Sequence, residues 1–198
     1  MTLPLILGSG SKYRGEILDK LHLKYDVVRP DIDETAITSE SPQQLVGRLA
    51  EAKARAVETR MSDPEAVIIG SDQVAVCNGD ILGKPGGAEA AIQQLLGFVG
   101  KTVTFYTGLA VLNTSTQQCE VRVEPFEVEF RQLTIDEVER YVELEEPFDC
   151  AGSFKSEGLG ISLFKSLKGN DPNTLIGLPA IALLDMLRAH GINPLNKE

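Results

Sequence analysis

A chain of 198 residues, 42% of them hydrophobic, is long enough to bury one sizeable core, and a formal net charge of −10 argues against nonspecific binding to nucleic acid. No apolar run approaches the roughly 18 residues of a membrane span, no signal-peptide pattern is present, and Cys77, Cys119 and Cys150 lie far apart without a Cys-x-x-Cys pair. A cytoplasmic protein with reduced thiols is therefore expected, and a zinc site, a disulfide frame or (with only His22 and His190) a Ser-His-Asp triad is not.

The apolar run at residues 3–7 predicts a buried strand, the cluster Gly8-Ser9-Gly10-Ser11 a tight turn, and the spacing of Ile17, Leu18 and Leu21 a helix face. Helix N-termini present unpaired N–H groups and a partial positive charge, so this strand-turn-helix is a candidate anion site. Ser9 and Ser11 add hydroxyls, and Arg14 adds a guanidinium fork suited to phosphate. It is neither a Walker loop nor a dinucleotide fingerprint, since both glycine patterns are absent. The simpler alternative is an N-cap serine beside a surface arginine.

A second strand is predicted at 25–28, followed by an acidic loop through Asp31, Asp33 and Glu34. Ser41-Pro42-Gln43-Gln44 is a helix start with a capping box, and that helix should run to about residue 60. At steps of four its apolar stripe reads Leu45, Leu49, Lys53, Val57. A lysine so placed by default snorkels to the surface; otherwise it reaches into a site. A buried strand at 66–69 is expected to end in Gly70-Ser71-Asp72-Gln73, and a hairpin follows on the Asn78-Gly79 turn. Gly83-Lys84-Pro85 leaves the hairpin. A helix at 88–99 should stop at Gly100, and two long β segments follow at 102–112, interrupted by Gly108, and at 119–130. Thr134 to Glu137 form another capping box. A Gly- and Ser-rich region at 150–160 and a loop at 168–173 precede a last helix at 179–190 that closes on Gly191. The pattern predicts one α/β domain over residues 1–198 with a mixed sheet, because βα units and hairpins both occur.

In open α/β sheets ligands bind beyond the carboxyl ends of strands. The Ser9–Arg14 turn, Asp33-Glu34 and Asp72-Gln73 are expected at such positions, and Lys53 and Lys84 bring the set to three cations with at least two carboxylates. That is what hydrolysis of a phosphoanhydride requires: cations hold phosphates, while carboxylates hold a hard metal ion and take a proton from water. A polyphosphate would be repelled by the acidic molecule as a whole, so local cations and a divalent metal are needed. Each residue also has an innocent alternative. Asp33-Glu34 would then be a solvated loop, Asp72 a turn cap, and Lys84 an exposed residue before proline.

Taken together, Ser9-x-Ser11-x-x-Arg14-x-x-x-Leu18, Asp33-Glu34, Lys53, Ser71-Asp72-Gln73, Gly83-Lys84-Pro85, Thr107-Gly108, Ala151-Gly152-Ser153-Phe154, Gly158 and the segment 173–179 resemble, in order, the blocks of the Maf family of metal-dependent nucleoside triphosphate pyrophosphatases. Gly10 stands where threonine is more usual. Lys12-Tyr13-Arg14, Ser71-Asp72-Gln73-Val74 and the segments 103–110 and 150–158 resemble its YceF branch, associated with 7-methyl-GTP, whereas other branches take dTTP and UTP.

The resemblance implies a Maf/ITPase-like α/β fold, a long twisted mixed sheet with helices and two lobes around a cleft. It implies hydrolysis of a nucleoside triphosphate to the monophosphate and pyrophosphate, a housekeeping removal of modified nucleotides, with Asp72 as proton acceptor. Ser9, Ser11, Arg14, Lys53 and Lys84 would grip the triphosphate, Glu34 and Asp72 would position Mg2+ or Mn2+, and Tyr13, Gln73 and Glu157 map onto specificity positions. The last assignment has physical sense, since N7 methylation makes guanine cationic and an aromatic face plus a carboxylate suits a cationic base. The implied partner is the nucleotide, with neither nucleic acid nor membrane, and homodimers occur in the family. The rivals are a pyrimidine triphosphate pyrophosphatase and a nucleotide-sensing regulator of septum formation; the presence of both Glu34 and Asp72 favours turnover.

Overall fold

In the computed structural model, residues 3–60 and 65–196 are described. The chain runs β1 (Leu5–Gly8), α1 (Lys12–Lys20), β2 (Asp26–Val27), α2 (Pro42–Glu58), β3 (Val67–Cys77), β4 (Asp80–Leu82), α3 (Ala88–Phe98), β5 (Thr102–Asn113), β6 (Gln118–Phe130) and α4 (Ile135–Glu145). A 3-10 turn (Leu159–Leu163), β7 (Phe164–Lys168), α5 (Asn173–Ile176) and α6 (Ala180–Arg188) complete it. The sheet order is β2-β1-β3-β5-β6-β7, with β4 paired to β3. β1 is parallel to β2 and β3, with Gly8 opposite Gly70, while β3–β4 and β6–β7 are antiparallel. The expected mixed α/β sheet is present.

Contacts divide the chain into two compact units. One comprises Met1–Asp72, Thr107–Glu124 and Gly177–Glu198, and the other Gln73–Tyr106 and Pro125–Ile176. In the first, Ala50, Ala54 and Val57 of α2 pack on Ile6, Ile68, Ala110 and Leu112. Burying that apolar face is what holds α2 to the sheet, at about 25 cal/mol per Å² removed from water. The Ser41–Gln44 capping box forms as the sequence predicts, with Gln44 N–H on Ser41 Oγ at 3.2 Å and Ser41 N–H on Gln44 Oε1 at 2.9 Å.

Two expected strand breaks do not occur. β3 runs unbroken for 11 residues through Gly70-Ser71-Asp72-Gln73, and β5 continues through Gly108. Both glycines mark a close approach, not a turn. A Cβ on Gly70 would collide with the Ala50 carbonyl, and one on Gly108 with the Val46 carbonyl, so the backbone of α2 lies directly on both strands.

The second unit has its own aromatic core. Phe154 packs edge-on against Phe105, Phe130 and Phe164 with ring centroids 4.7–5.8 Å apart. The Asn78-Gly79 hairpin forms, both residues at positive φ (53° and 93°), as a tight turn of this kind requires. The Thr134–Glu137 box caps α4, and Gly100 (φ 66°) follows α3. Most of β7 and α5 falls in stretches to which the sequence reading assigned no element, on either side of the expected 168–173 loop. β7 buries only Phe164 and is stapled to β6 by Lys165–Glu129 (2.7 Å) and Lys168–Glu127 (3.2 Å). The three cysteines are free thiols. No helix among the described residues is long and apolar enough to cross a membrane.

Candidate active site

β1 ends at Gly8 and α1 begins at Lys12, so Ser9, Gly10 and Ser11 make the turn at the helix N-terminus. Ser9 is buried, and its Oγ accepts from the Ser11 N–H and from Arg14 Nη1, both at 3.1 Å. Ser11 occupies the N-cap, but its side chain makes no capping hydrogen bond and the first turn holds no acidic residue. The positive end of α1 is therefore left for an anion. Arg14 is not a surface arginine. Its Nε donates to the Gly177 carbonyl at 2.7 Å, and the fully buried Ser71 donates to the same oxygen at 2.9 Å. Gly177 sits at φ 113°, a conformation reserved for glycine. Burial lowers the Arg14 pKa, while the nearby Asp72 and Glu34 carboxylates pull it back up. The guanidinium stays charged, because its basicity lies far above neutrality.

Lys53 does not snorkel. It is buried, and its Nζ lies 2.6 Å from Asp72 Oδ1 and 2.7 Å from Glu34 Oε1. Asp72 is likewise buried, whereas the Glu34 side chain is 59% exposed, so the group has one open carboxylate. Asp72 lies within β3 and not at its carboxyl end. Strand alternation turns it toward α2, opposite to its neighbours Ser71 and Gln73. Two carboxylates that converge on one cationic point also fit a hard divalent ion, whose remaining ligands come from water and phosphate. Among the described residues no group of three or more His, Cys, Asp and Glu could hold a metal unaided.

The paired acids of the loop part company. Asp33 turns back to accept from the Thr35 N–H at 2.9 Å, and that hydrogen bonding holds its carboxyl below the usual range, while Glu34 goes to Lys53. Arg48 of α2 grips Glu40 with two parallel bonds, Nε to Oε1 at 2.7 Å and Nη2 to Oε2 at 2.8 Å, and also donates to the Thr35 carbonyl at 3.2 Å.

Tyr13, on the first turn of α1, is half-buried and has the Lys12 ammonium 5.0 Å from its ring centroid, within cation–π range. The remaining expected residues belong to the second unit. Gln73 donates its side-chain amide to the carbonyls of Thr174 (2.8 Å) and Leu175 (3.3 Å). Lys84 is exposed just after β4, and Glu157 is exposed with the Ser156 hydroxyl at 3.4 Å. Sequence reading assigned no role to Ser71, Gly177 or Arg48. The first two become visible only when residues more than 100 positions apart meet, and nothing local distinguishes Arg48 from any other helix-surface arginine.

The first unit thus joins hydroxyls, a half-buried guanidinium and a lysine-bridged carboxylate pair, a set able to hold phosphate oxygens and take a proton from water. Residues 4–190 match the family described as Maf-like protein, and the chain belongs to it. It is 83% identical to a protein of Idiomarina loihiensis named 7-methyl-GTP pyrophosphatase, over 198 residues and the whole of both chains. Proteins of the same name from Aliivibrio fischeri and Colwellia psychrerythraea are 55% and 52% identical over 195 and 194 residues. Each alignment covers 98% of this chain, with 100% and 96% of theirs.

Proposed function

We propose that this chain hydrolyses 7-methyl-GTP in preference to other nucleoside triphosphates, releasing pyrophosphate and the monophosphate. The observation that carries the reading is Lys53 Nζ held between Asp72 and Glu34 in a unit that also fixes Arg14, in a chain 83% identical over its full length to a protein of that name. The family match runs through both units, which supports reading the chain as one catalytic domain.

Arg14, Ser9, Ser11, Lys53 and Lys84 bind phosphate oxygens. Asp72 has Oδ1 engaged by Lys53, which leaves Oδ2 to accept the proton of the attacking water. A divalent cation, Mg2+ or Mn2+, held by Glu34 and Asp72 would neutralise phosphate charge and make bound water more acidic. No covalent intermediate is needed. The Tyr13 face, already within reach of an ammonium, suits a base made cationic by N7 methylation, and Gln73 and Glu157 complete the proposed specificity positions. The three free thiols accord with a reducing, cytoplasmic setting.

A panel of triphosphates, with pyrophosphate release followed with and without divalent metal, tests the reading. A preference for 7-methyl-GTP supports it. A preference for dTTP or UTP makes the protein a pyrimidine nucleotide pyrophosphatase, and tight binding without turnover makes it a sensor.

A further inference from the structure

Glu34 reaches Lys53 from a segment without regular secondary structure, since residues 28–37 form neither helix nor strand and residues 38–39 form a turn. Something outside the loop must fix its course, because ordering unrestrained backbone costs conformational entropy. Three connections converge on one side chain of α2. Arg48 takes both oxygens of Glu40 and the carbonyl of Thr35, the residue next to Glu34. Glu40 closes the ring by accepting the Ile37 N–H at 3.1 Å, and its side chain is only 9% exposed. Ser39 takes a positive φ of 69° within the enclosed turn. Arg48 and Lys53 stand on the same helix, so the loop is tied to α2 at both ends of its 34–40 stretch.

We infer that Arg48 is a positioning residue: by clamping Thr35 and Glu40 it sets the loop so that the Glu34 carboxylate converges with Asp72. Arg48 acts through Glu34 and needs no contact with substrate. A bidentate guanidinium suits the task better than an ammonium, because two parallel bonds fix direction as well as distance. The inference rests on the proposal that Glu34 helps hold a divalent ion.

The test is a double-mutant cycle of Arg48→Ala and Glu34→Gln. Mn2+ affinity is read by electron paramagnetic resonance with a non-hydrolysable α,β-methylene GTP analogue present, and turnover at saturating Mn2+ is read separately. Arg48→Ala should weaken Mn2+ binding about tenfold, as loss of an outer partner of a metal ligand does, and Glu34→Gln, which removes the ligand itself, at least as much. The double variant should be no worse than Glu34→Gln, since a clamp has no effect once its carboxylate is gone. Arg48→Lys should restore part of the affinity. Glu40→Gln, which keeps the shape of the ring, should weaken Mn2+ binding in the same direction and serves if Arg48→Ala folds poorly. A Glu34→Gln defect with normal Mn2+ affinity in both Arg48→Ala and Glu40→Gln overturns the clamp and leaves the metal reading standing, as do losses that multiply in the double variant. Unchanged Mn2+ affinity in Glu34→Gln overturns both.

Discussion

Lys53 Nζ lies 2.6 Å from Asp72 Oδ1, and the two side chains are only 9% and 10% exposed. A pair so deep is an expensive way to stabilise a fold, because the desolvation of each charge offsets much of their attraction. Its retention makes chemical sense if one member must later exchange its partner for substrate or solvent. The same arrangement makes the two residues separable by experiment.

Asp72→Asn keeps the shape and removes the basicity. Nucleotide binding should persist while kcat falls by about a hundredfold or more, the usual scale for a positioned acid or base. Equilibrium binding of 7-methyl-GTP measured beside steady-state turnover checks this, and near-normal kcat would remove Asp72 as proton acceptor.

Pyrophosphate and the nucleoside monophosphate should appear together and in equal amounts, and EDTA should abolish both. Chromatography of the products decides it. Orthophosphate with a nucleoside diphosphate as first products would mean that a different phosphoanhydride bond breaks.

GTP and 7-methyl-GTP differ by one methyl and one charge. If Tyr13 and Glu157 read that charge, Tyr13→Ala and Glu157→Gln should each shrink the preference in kcat/KM, chiefly by hurting the methylated substrate. A cation–π contact of about 0.5–2 kcal/mol corresponds to a few-fold to roughly thirtyfold for Tyr13. Arg14→Ala should lower all triphosphates about equally, since a phosphate contact is blind to the base. Equal kcat/KM for the two nucleotides in the unaltered protein would end the cationic-base reading.

Cys119 offers a pH test. Burial, then the neighbouring Glu51 and Glu58 carboxylates, push its thiol up to about 11, with Arg55 opposing. The raised value means that the thiol stays protonated through neutrality and becomes a thiolate only as pH approaches 11. At pH 8 about one molecule in a thousand carries the thiolate, against roughly a quarter for an ordinary thiol of pKa 8.5. Iodoacetamide should label Cys119 about two orders of magnitude more slowly than a free thiol at pH 8, and about tenfold faster for each pH unit up to 10. Peptide mass spectrometry after timed quenching reads the rate; labelling at pH 8 as fast as that of free cysteine would show that the thiol is not shielded.

The parts of the fold that depend on neighbours in sequence were legible in advance. Both capping boxes, the Asn78-Gly79 turn and the glycine after α3 sit where local rules put them. Gly70 and Gly108 were not, because a glycine within a strand pattern signals either a break or a close approach, and only the packing of α2 decides between them. β7 escaped notice because four of its five residues are exposed; its identity as a strand comes from pairing with β6 and not from its own apolar pattern. In the site, the Ser9–Arg14 turn was readable as strand, turn and helix. The direction of Lys53 was not, since helical spacing fixes the face a side chain occupies and not which charge it will find 19 residues away.

β7 closes one margin of the sheet, and its outward side could in principle accept a strand from a second molecule. Its sequence Phe164-Lys165-Ser166-Leu167-Lys168 discourages that. Two copies meeting margin to margin would have to dehydrate four ammonium groups and draw Lys165 and Lys168 away from Glu129 and Glu127. At the other margin β2 is only two residues long, too short to template an incoming strand. Sheet extension is thus discouraged at the two ends of the β2-to-β7 path by different means, lysines at one and shortness at the other.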